Sequence, residues 1–114
     1  MPTVAKLAAI KAMDGLYLRA SAIAENIANA NSQSFHLKSV DFEGALRKAV
    51  LAGPQALADF APRVTSAALP MGGDDIRLDL EMAGASATAL RYNALSDILN
   101  RQLQLTRLAV KGGQ

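Results

Sequence analysis

The chain has 114 residues, 51% of them apolar, with twelve lysines and arginines against ten acidic residues and no cysteine. This length holds one domain, and the lack of cysteine excludes a disulfide framework and any thiolate metal site. The net charge of +2 is scattered along the chain and forms no basic block of the kind nucleic-acid binders carry.

Alanine and leucine supply most of the apolar content, and only Tyr17, Phe35, Phe42, Phe60 and Tyr92 are aromatic. That balance suits helices packed closely on helices rather than a sheet core. No uncharged apolar run reaches the length of a membrane span. Met1 to Ile10 lacks the compact apolar core and cleavage site of a signal peptide, so export would need a route without a cleaved signal.

Pro2 and Thr3 suit a helix start, with Thr3 as cap. Val4 to Ala30 contains no proline and one glycine, Gly15. Leu16, Ala20, Ile23, Ile27 and Ala30 recur at alternating spacings of four and three, a heptad-type stripe that Met13 and Ala9 extend backwards. A helix of about 27 residues is about 40 Å long and cannot bury such a stripe alone. Three asparagines follow within six residues, at 26, 29 and 31. Asn31 suits the left-handed position past a helix end. Asn26 and Asn29 fall inside the helical pattern, where asparagine is unfavourable because its amide competes for backbone hydrogen bonds.

Residues 31–40 break the pattern and read as a loop or extended segment. Asp41 can cap a short helix over Phe42–Leu51, with Phe42, Leu46 and Ala49 or Val50 on one face; Gly53-Pro54 stops it. Residues 53–76, with Pro54, Pro62, Pro70 and Gly72-Gly73-Asp74-Asp75, read as a linker or exposed loop, with weak support for a strand over Arg63–Ala68. A second long helix is expected over Leu78–Lys111. Its stripe runs through Leu78, Met82, Ala85, Ala89, Tyr92, Ser96, Leu99, Leu103, Thr106 and Val110. Asp74, Asp75, Asp79 and Glu81 near its start and Arg101, Arg107 and Lys111 near its end complement the helix dipole, and Gly112-Gly113 stops it. Gly84 is its weak point. Leu105 and Leu108 fall off the stripe, so the distal half is apolar around most of its circumference. A single partner helix cannot cover it.

The expected fold is all-α: two long terminal helices packed antiparallel in coiled-coil fashion, a short helix after the first, and an irregular middle segment projecting from one end. The whole forms one rod-type domain, divided as 1–30, 31–52, 53–76 and 77–114.

The stretch Ala24-Glu25-Asn26-Ile27-Ala28-Asn29-Ala30-Asn31-Ser32-Gln33-Ser34-Phe35 resembles the N-terminal motif of the bacterial flagellar axial proteins. Ala24, Asn26, Ile27, Ala28, Asn29, Asn31 and Phe35 match it. Ser32 stands where threonine is usual and Ser34 where glycine is usual; Ser for Gly predicts a different or strained turn there. Val40-Asp41-Phe42-Glu43-x-Ala45-Leu46, Asp79-x-Glu81-Met82, Ala89-Leu90-Arg91-Tyr92-Asn93-Ala94-Leu95, Leu99-Asn100-Arg101-x-Leu103 and Leu108-Ala109-Val110 look like the FlgB-type, proximal-rod branch of the basal-body rod family. The resemblance covers about residues 10–51 and 76–111.

It implies a structural subunit of the basal-body rod, a part of the drive shaft that carries torque to hook and filament. It also implies export through the flagellar type III apparatus and residence in the rod, in the periplasmic space. Implied partners are copies of itself, other rod subunits, the adaptor at the rod base, the membrane ring and the export gate; no nucleic acid and no membrane span is implied. The subunit interface is expected at Leu16, Ile23, Asn26, Ile27, Asn29, Asn31, Phe35, Leu90, Arg91, Tyr92, Leu95, Leu99, Leu103, Leu105 and Leu108. A free-standing helical adaptor that folds on a partner is the alternative.

Catalytic chemistry finds little footing. His36 is the only histidine, beside Phe35 in a loop, and suits a structural or exposed role. Asp74-Asp75 and Asp79-Glu81 suit capping better than paired-carboxylate catalysis. Gly72-Gly73 lacks the Lys-Ser/Thr of a phosphate loop. Arg91 and Arg101 suit an interchain ion pair or a solvated face, and Tyr92 suits packing with its hydroxyl at a boundary. No enzymatic activity, cofactor or metal is expected.

Overall fold

A computed structural model of the chain describes residues 3–32, 34–67 and 78–112. The expectations for Pro2, Gln33, Ala68, Pro70, Gly72–Asp75 and Gly113 lie outside them. The described chain is elongated, 66 × 27 × 14 Å. Its elements are α1 (Val4–Ala28), β1 (Leu37–Ser39), α2 (Glu43–Ala52), α3 (Pro54–Asp59), β2 (Thr65–Ala67) and α4 (Leu78–Gly112). The fold is all-α, built on the packing of α1 against α4. Their antiparallel sense follows from the contacts at the two ends: Lys6 Nζ donates to Thr106 Oγ1 at 3.5 Å, and Asn26 Nδ2 to Glu81 Oε2 at 3.1 Å.

Helix α1 starts where its cap requires. The Thr3 hydroxyl accepts from the Lys6 N–H at 3.2 Å, filling one of the vacant donors of the first turn. The helix ends at Ala28, two residues short of the expected Ala30. Asn29 is the reason. Its backbone N–H and its side-chain Nδ2 both donate to the Glu25 carbonyl, at 3.0 and 2.9 Å, so its amide competes with continuation of the helix. No described non-glycine residue has positive φ. Asn31 is therefore not a left-handed cap, and Ser34 needs no glycine-like backbone.

The core lies where α1, α2 and the approach to α2 converge. Leu16, Ala22, Val40 and Phe42 are buried together, and Ala12, Leu18, Leu46, Phe60, Tyr92 and Leu95 pack around them. The expected side of α2 faces inward: Phe42 is buried and Leu46, Ala49 and Val50 are half-buried. Asp41 does not cap it. Phe42 is the N-cap residue, and the Phe42 N–H donates to Glu43 Oε1 at 3.3 Å. The Gly15 position is dictated by the Phe42 ring: a Cβ built there would fall 2.5–2.7 Å from three ring atoms.

That contact sets a first prediction. Gly→Ala inside a helix ordinarily stabilises by up to about 1 kcal/mol. Gly15→Ala is expected to do the reverse and to cost about 1–3 kcal/mol from overpacking, measured as a fall in the urea midpoint at unchanged m-value. A midpoint at or above wild type would show that the ring moves aside freely. Gly84 carries no such constraint, because its added Cβ would meet only Ile23 Cδ1, at an ordinary 3.5 Å.

The described part of the middle segment, residues 53–67, is not a projecting linker. Gly53, at φ 122°, joins α2 to α3, and Pro54 takes the first position of α3, where its fixed φ and missing N–H are tolerated. Lys11 Nζ donates to the Ala58 and Phe60 carbonyls at 3.1 and 2.9 Å, tying the end of α3 to α1. Leu57 of α3 is completely buried. The chain then returns as β2, antiparallel to β1, with Leu37 opposite Ala67, Lys38 opposite Ser66 and Ser39 opposite Thr65.

The inner face of α4 shares Ala85, Tyr92, Ser96 and Leu99 with the expected stripe, all partly buried, but is otherwise shifted from it. Thr88 is buried and Gly84 and Leu95 are partly buried, whereas Met82 and Ala89 are exposed. On α1, Ala22 is buried and Ala20 is exposed. Thr88 is accommodated because its hydroxyl donates to the Gly84 carbonyl at 2.7 Å.

Candidate interaction surface

Asn26 is 1% exposed and belongs to the interior of the chain. Its Oδ1 accepts from the Lys38 N–H at 2.9 Å and its Nδ2 donates to the Lys38 carbonyl at 2.7 Å. The side-chain amide thus behaves as a one-residue strand, satisfying both backbone groups of the middle residue of β1. The second Nδ2 proton reaches Glu81 on α4. One side chain joins three elements, which accounts for an asparagine inside a helical pattern. Lys38 Nζ pairs with Glu25 on the outer side of the same junction. Asn29 is half-buried and serves its own helix end.

A second polar junction sits one face over. Arg19 donates to both Glu43 oxygens, at 3.0 and 2.5 Å, and to the Val40 carbonyl at 3.0 and 2.7 Å. Its guanidinium lies 4.9 Å from the Phe42 ring centroid, within cation–π range. Arg91 of α4 approaches Glu43 at 3.7 Å, so its ion pair is made within the chain. The Arg19 hydrogen bonds hold the Glu43 carboxyl below its usual 4.5, against the opposing effect of burial.

Because the folded value is depressed, the junction contributes stability in full above about pH 4.5 and loses it as pH falls through the folded value. Glu43→Gln is expected to lower stability at neutral pH and to flatten the acid limb of the stability–pH curve. An acid limb identical to wild type would assign acid loss to other carboxylates.

The residues expected at a subunit interface separate into three groups. Leu16, Ile23 and Asn26 are buried within the chain. Ile27, Asn29, Phe35, Tyr92, Leu95 and Leu99 are half-buried, and Asn31, Leu90, Arg91, Leu103, Leu105 and Leu108 are exposed. Leu103 lies on the expected inner stripe yet is 51% exposed. The start of α1, Val4 to Ala9, holds three alanines, Lys6, Val4 and Leu7, and among the described elements only α1 runs alongside α4. Every residue from Arg101 to Gly112 is exposed, including Leu105, Leu108 and Val110.

Two open grooves flank the α1–α4 seam. One, of about 500 Å³, is walled by Ile10, Met13, Tyr17, Pro62, Tyr92 and Leu99. The other, of about 510 Å³, lies between α4 and α2 and is apolar apart from Glu43, Arg47 and Arg91 at its rim. Among the described residues, His, Cys, Asp and Glu form no group of three or more that could hold a metal ion. His36 is exposed. Among the described residues no buried side-chain nitrogen or oxygen lacks a hydrogen-bond partner, and no helix is long and apolar enough to cross a membrane. The features that stand out are therefore surfaces, above all the outer face of α4. No protein-family model matches the chain, and no curated protein matches it.

Proposed function

We propose that the chain is a non-enzymatic structural subunit of the proximal rod of the bacterial flagellar basal body. It would be exported through the flagellar type III apparatus without a cleaved signal and packed in the periplasmic rod against copies of itself, other rod subunits, the base adaptor, the membrane ring and the export gate. The observation that carries this reading is the distal half of α4. Leu103, Leu105, Leu108 and Val110 are all more than half exposed on a helix flanked by a single partner. An apolar surface of this extent on a small chain calls for neighbouring chains. The resemblance of residues 24–35 and 89–95 to the rod family supplies the identity of those neighbours. The mechanism is packing: interdigitated apolar side chains, which yield little under load, would make the assembled shaft stiff.

Leu108→Asp tests the reading. Its side chain touches nothing that the fold needs, so the purified variant should keep its stability within about 0.5 kcal/mol. In the organism that encodes the chain, a deletion strain complemented with this variant should not swim, and basal bodies imaged by electron microscopy should lack complete rods. Wild-type complementation should restore both. A deletion strain that swims normally with intact rods would overturn the proposal.

A further inference from the structure

Helix α4 carries a second apolar seam on its exposed side; Ala94 lies at the lip of the groove that α4 forms with α1 and α2, and Leu80 borders Ala22 and Ile23 of α1. It is centred on Ala94, and its members sit four, seven, eleven and fourteen residues to either side. Leu90 and Ile98 form the inner pair, followed by Ala87 and Arg101, then Ala83 and Leu105, then Leu80 and Leu108. All nine residues are exposed. The spacing alternates four and three outward in both directions, so each arm is a heptad seam. The two arms meet at Ala94 in a single extra-residue step, of the kind that locally straightens a coiled coil.

A seam whose spacing is palindromic matches a copy of itself running in the opposite direction. We infer that this face pairs with the same face of a second copy of the chain, α4 against α4, antiparallel, with the two-fold axis at Ala94. Three properties select this occupant. In that register each large side chain of the outer arms has a partner it can pack with: Leu105 meets Ala83, Leu108 meets Leu80, and Ile98 meets Leu90. Leu105 against Ala83 sets large against small, while Leu108 with Leu80 and Ile98 with Leu90 are apolar pairs of matched size. Arg101, the one charge in the seam, meets Ala87, whose small side chain leaves room for the arginine stem while the guanidinium reaches water at the rim. The charges also complement. Helix α4 is acidic in its first turn, at Asp79 and Glu81, and basic in its last turn, at Lys111, with Arg101 and Arg107 also in its distal half. Antiparallel pairing sets each end against its opposite and opposes the helix dipoles. Parallel pairing would set Arg101 against Arg101 and Asp97 against Asp97.

The strip is about 42 Å long and about 10 Å wide, or about 400 Å² per copy and about 800 Å² in total, below the roughly 1,000 Å² of a stable interface and in the range of a weak, transient one. The pair is therefore reversible and concentration-dependent. An interface of this symmetry is closed, so it covers the same α4 face that a rod would use and must open before assembly. The inference stands on the geometry of α4 and does not depend on the rod reading.

The chain has no cysteine, which makes disulfide mapping clean. Ala94→Cys is expected to form a disulfide-linked dimer under mild oxidation. A mixture of Leu80→Cys and Leu108→Cys proteins should yield the mixed dimer in several-fold excess over either self-linked one. Sedimentation of the wild-type chain should show its mass rising from 12.0 kDa toward twice that value with concentration, and Leu90→Asp should hold it at the monomer. Predominant self-linking of Leu108→Cys would replace the antiparallel pair by a parallel one and overturn the inference. So would a wild-type chain that stays monomeric at its solubility limit with no linking of Ala94→Cys. Neither result bears on whether the deletion strain swims.

Discussion

Leu57→Ala is expected to lower the unfolding free energy by about 2–5 kcal/mol. Leu57 is 0% exposed and is the single fully buried side chain of α3, a helix of six residues. A helix that short has no stability of its own in water; its place is held by that leucine, by the preset first turn at Pro54 and by the Lys11 bonds to Ala58 and Phe60. Removing the isobutyl group loses its transfer free energy and leaves a cavity beneath α3. Leu51→Ala is the matched control, because Leu51 is 82% exposed and its loss should change stability by less than about 0.5 kcal/mol. Urea denaturation of both variants decides the point. Equal midpoints would mean that α3 is not part of the cooperative unit.

This prediction falls in the segment where the sequence is least readable. Residues 53–76 hold three prolines, and proline ordinarily interrupts a helix. At position 54 it begins one instead, because the residue before it is a glycine at positive φ. Nothing in the local pattern marks Leu57 as buried: one leucine among alanines has no period. The strands β1 and β2, three residues each, are likewise below the length at which alternation can be recognised. The two long helices were legible because heptad spacing repeats over many turns, and the ends of α1 were legible to within two residues. The inner face of α4 was less so. Alanines and threonine contribute little to an apolar pattern. Asn26 gave a real signal, a polar residue where the helix should be apolar, but its partners lie on a strand the local sequence does not announce. Leu105 and Leu108 were expected off the inner stripe, but Leu103, Thr106 and Val110 on it are exposed as well.

Asn26→Ala is expected to cost about 3 kcal/mol, because it strands the N–H and the carbonyl of Lys38 together, at about 1–3 kcal/mol for each buried group left unpaired. Alanine keeps helix propensity, so the loss reports the junction and not the helix. Asn29→Ala should cost less than about 1 kcal/mol, since its side chain bonds only the Glu25 carbonyl of its own helix and that carbonyl keeps the Asn29 N–H. The two asparagines, similar in sequence setting, thus separate by their partners. Asn26→Asp is the sharper variant. A carboxylate could still accept from the Lys38 N–H, but it could not donate to the Lys38 carbonyl, and it would face the Glu81 carboxylate where the amide now donates to it. It should therefore be no more stable than the alanine variant despite its closer shape. Hydrogen exchange localises the effect: the Lys38 amide, protected by Asn26 Oδ1 in the wild type, should exchange faster by about two orders of magnitude in Asn26→Ala, as the lost free energy implies. Amides in the middle of α1 and α4 should follow only the global stability. If Lys38 stays protected in Asn26→Ala, a different group holds β1 to α1. If Asn29→Ala proves as costly as Asn26→Ala, the end of α1, rather than the Asn26 junction, governs this part of the fold.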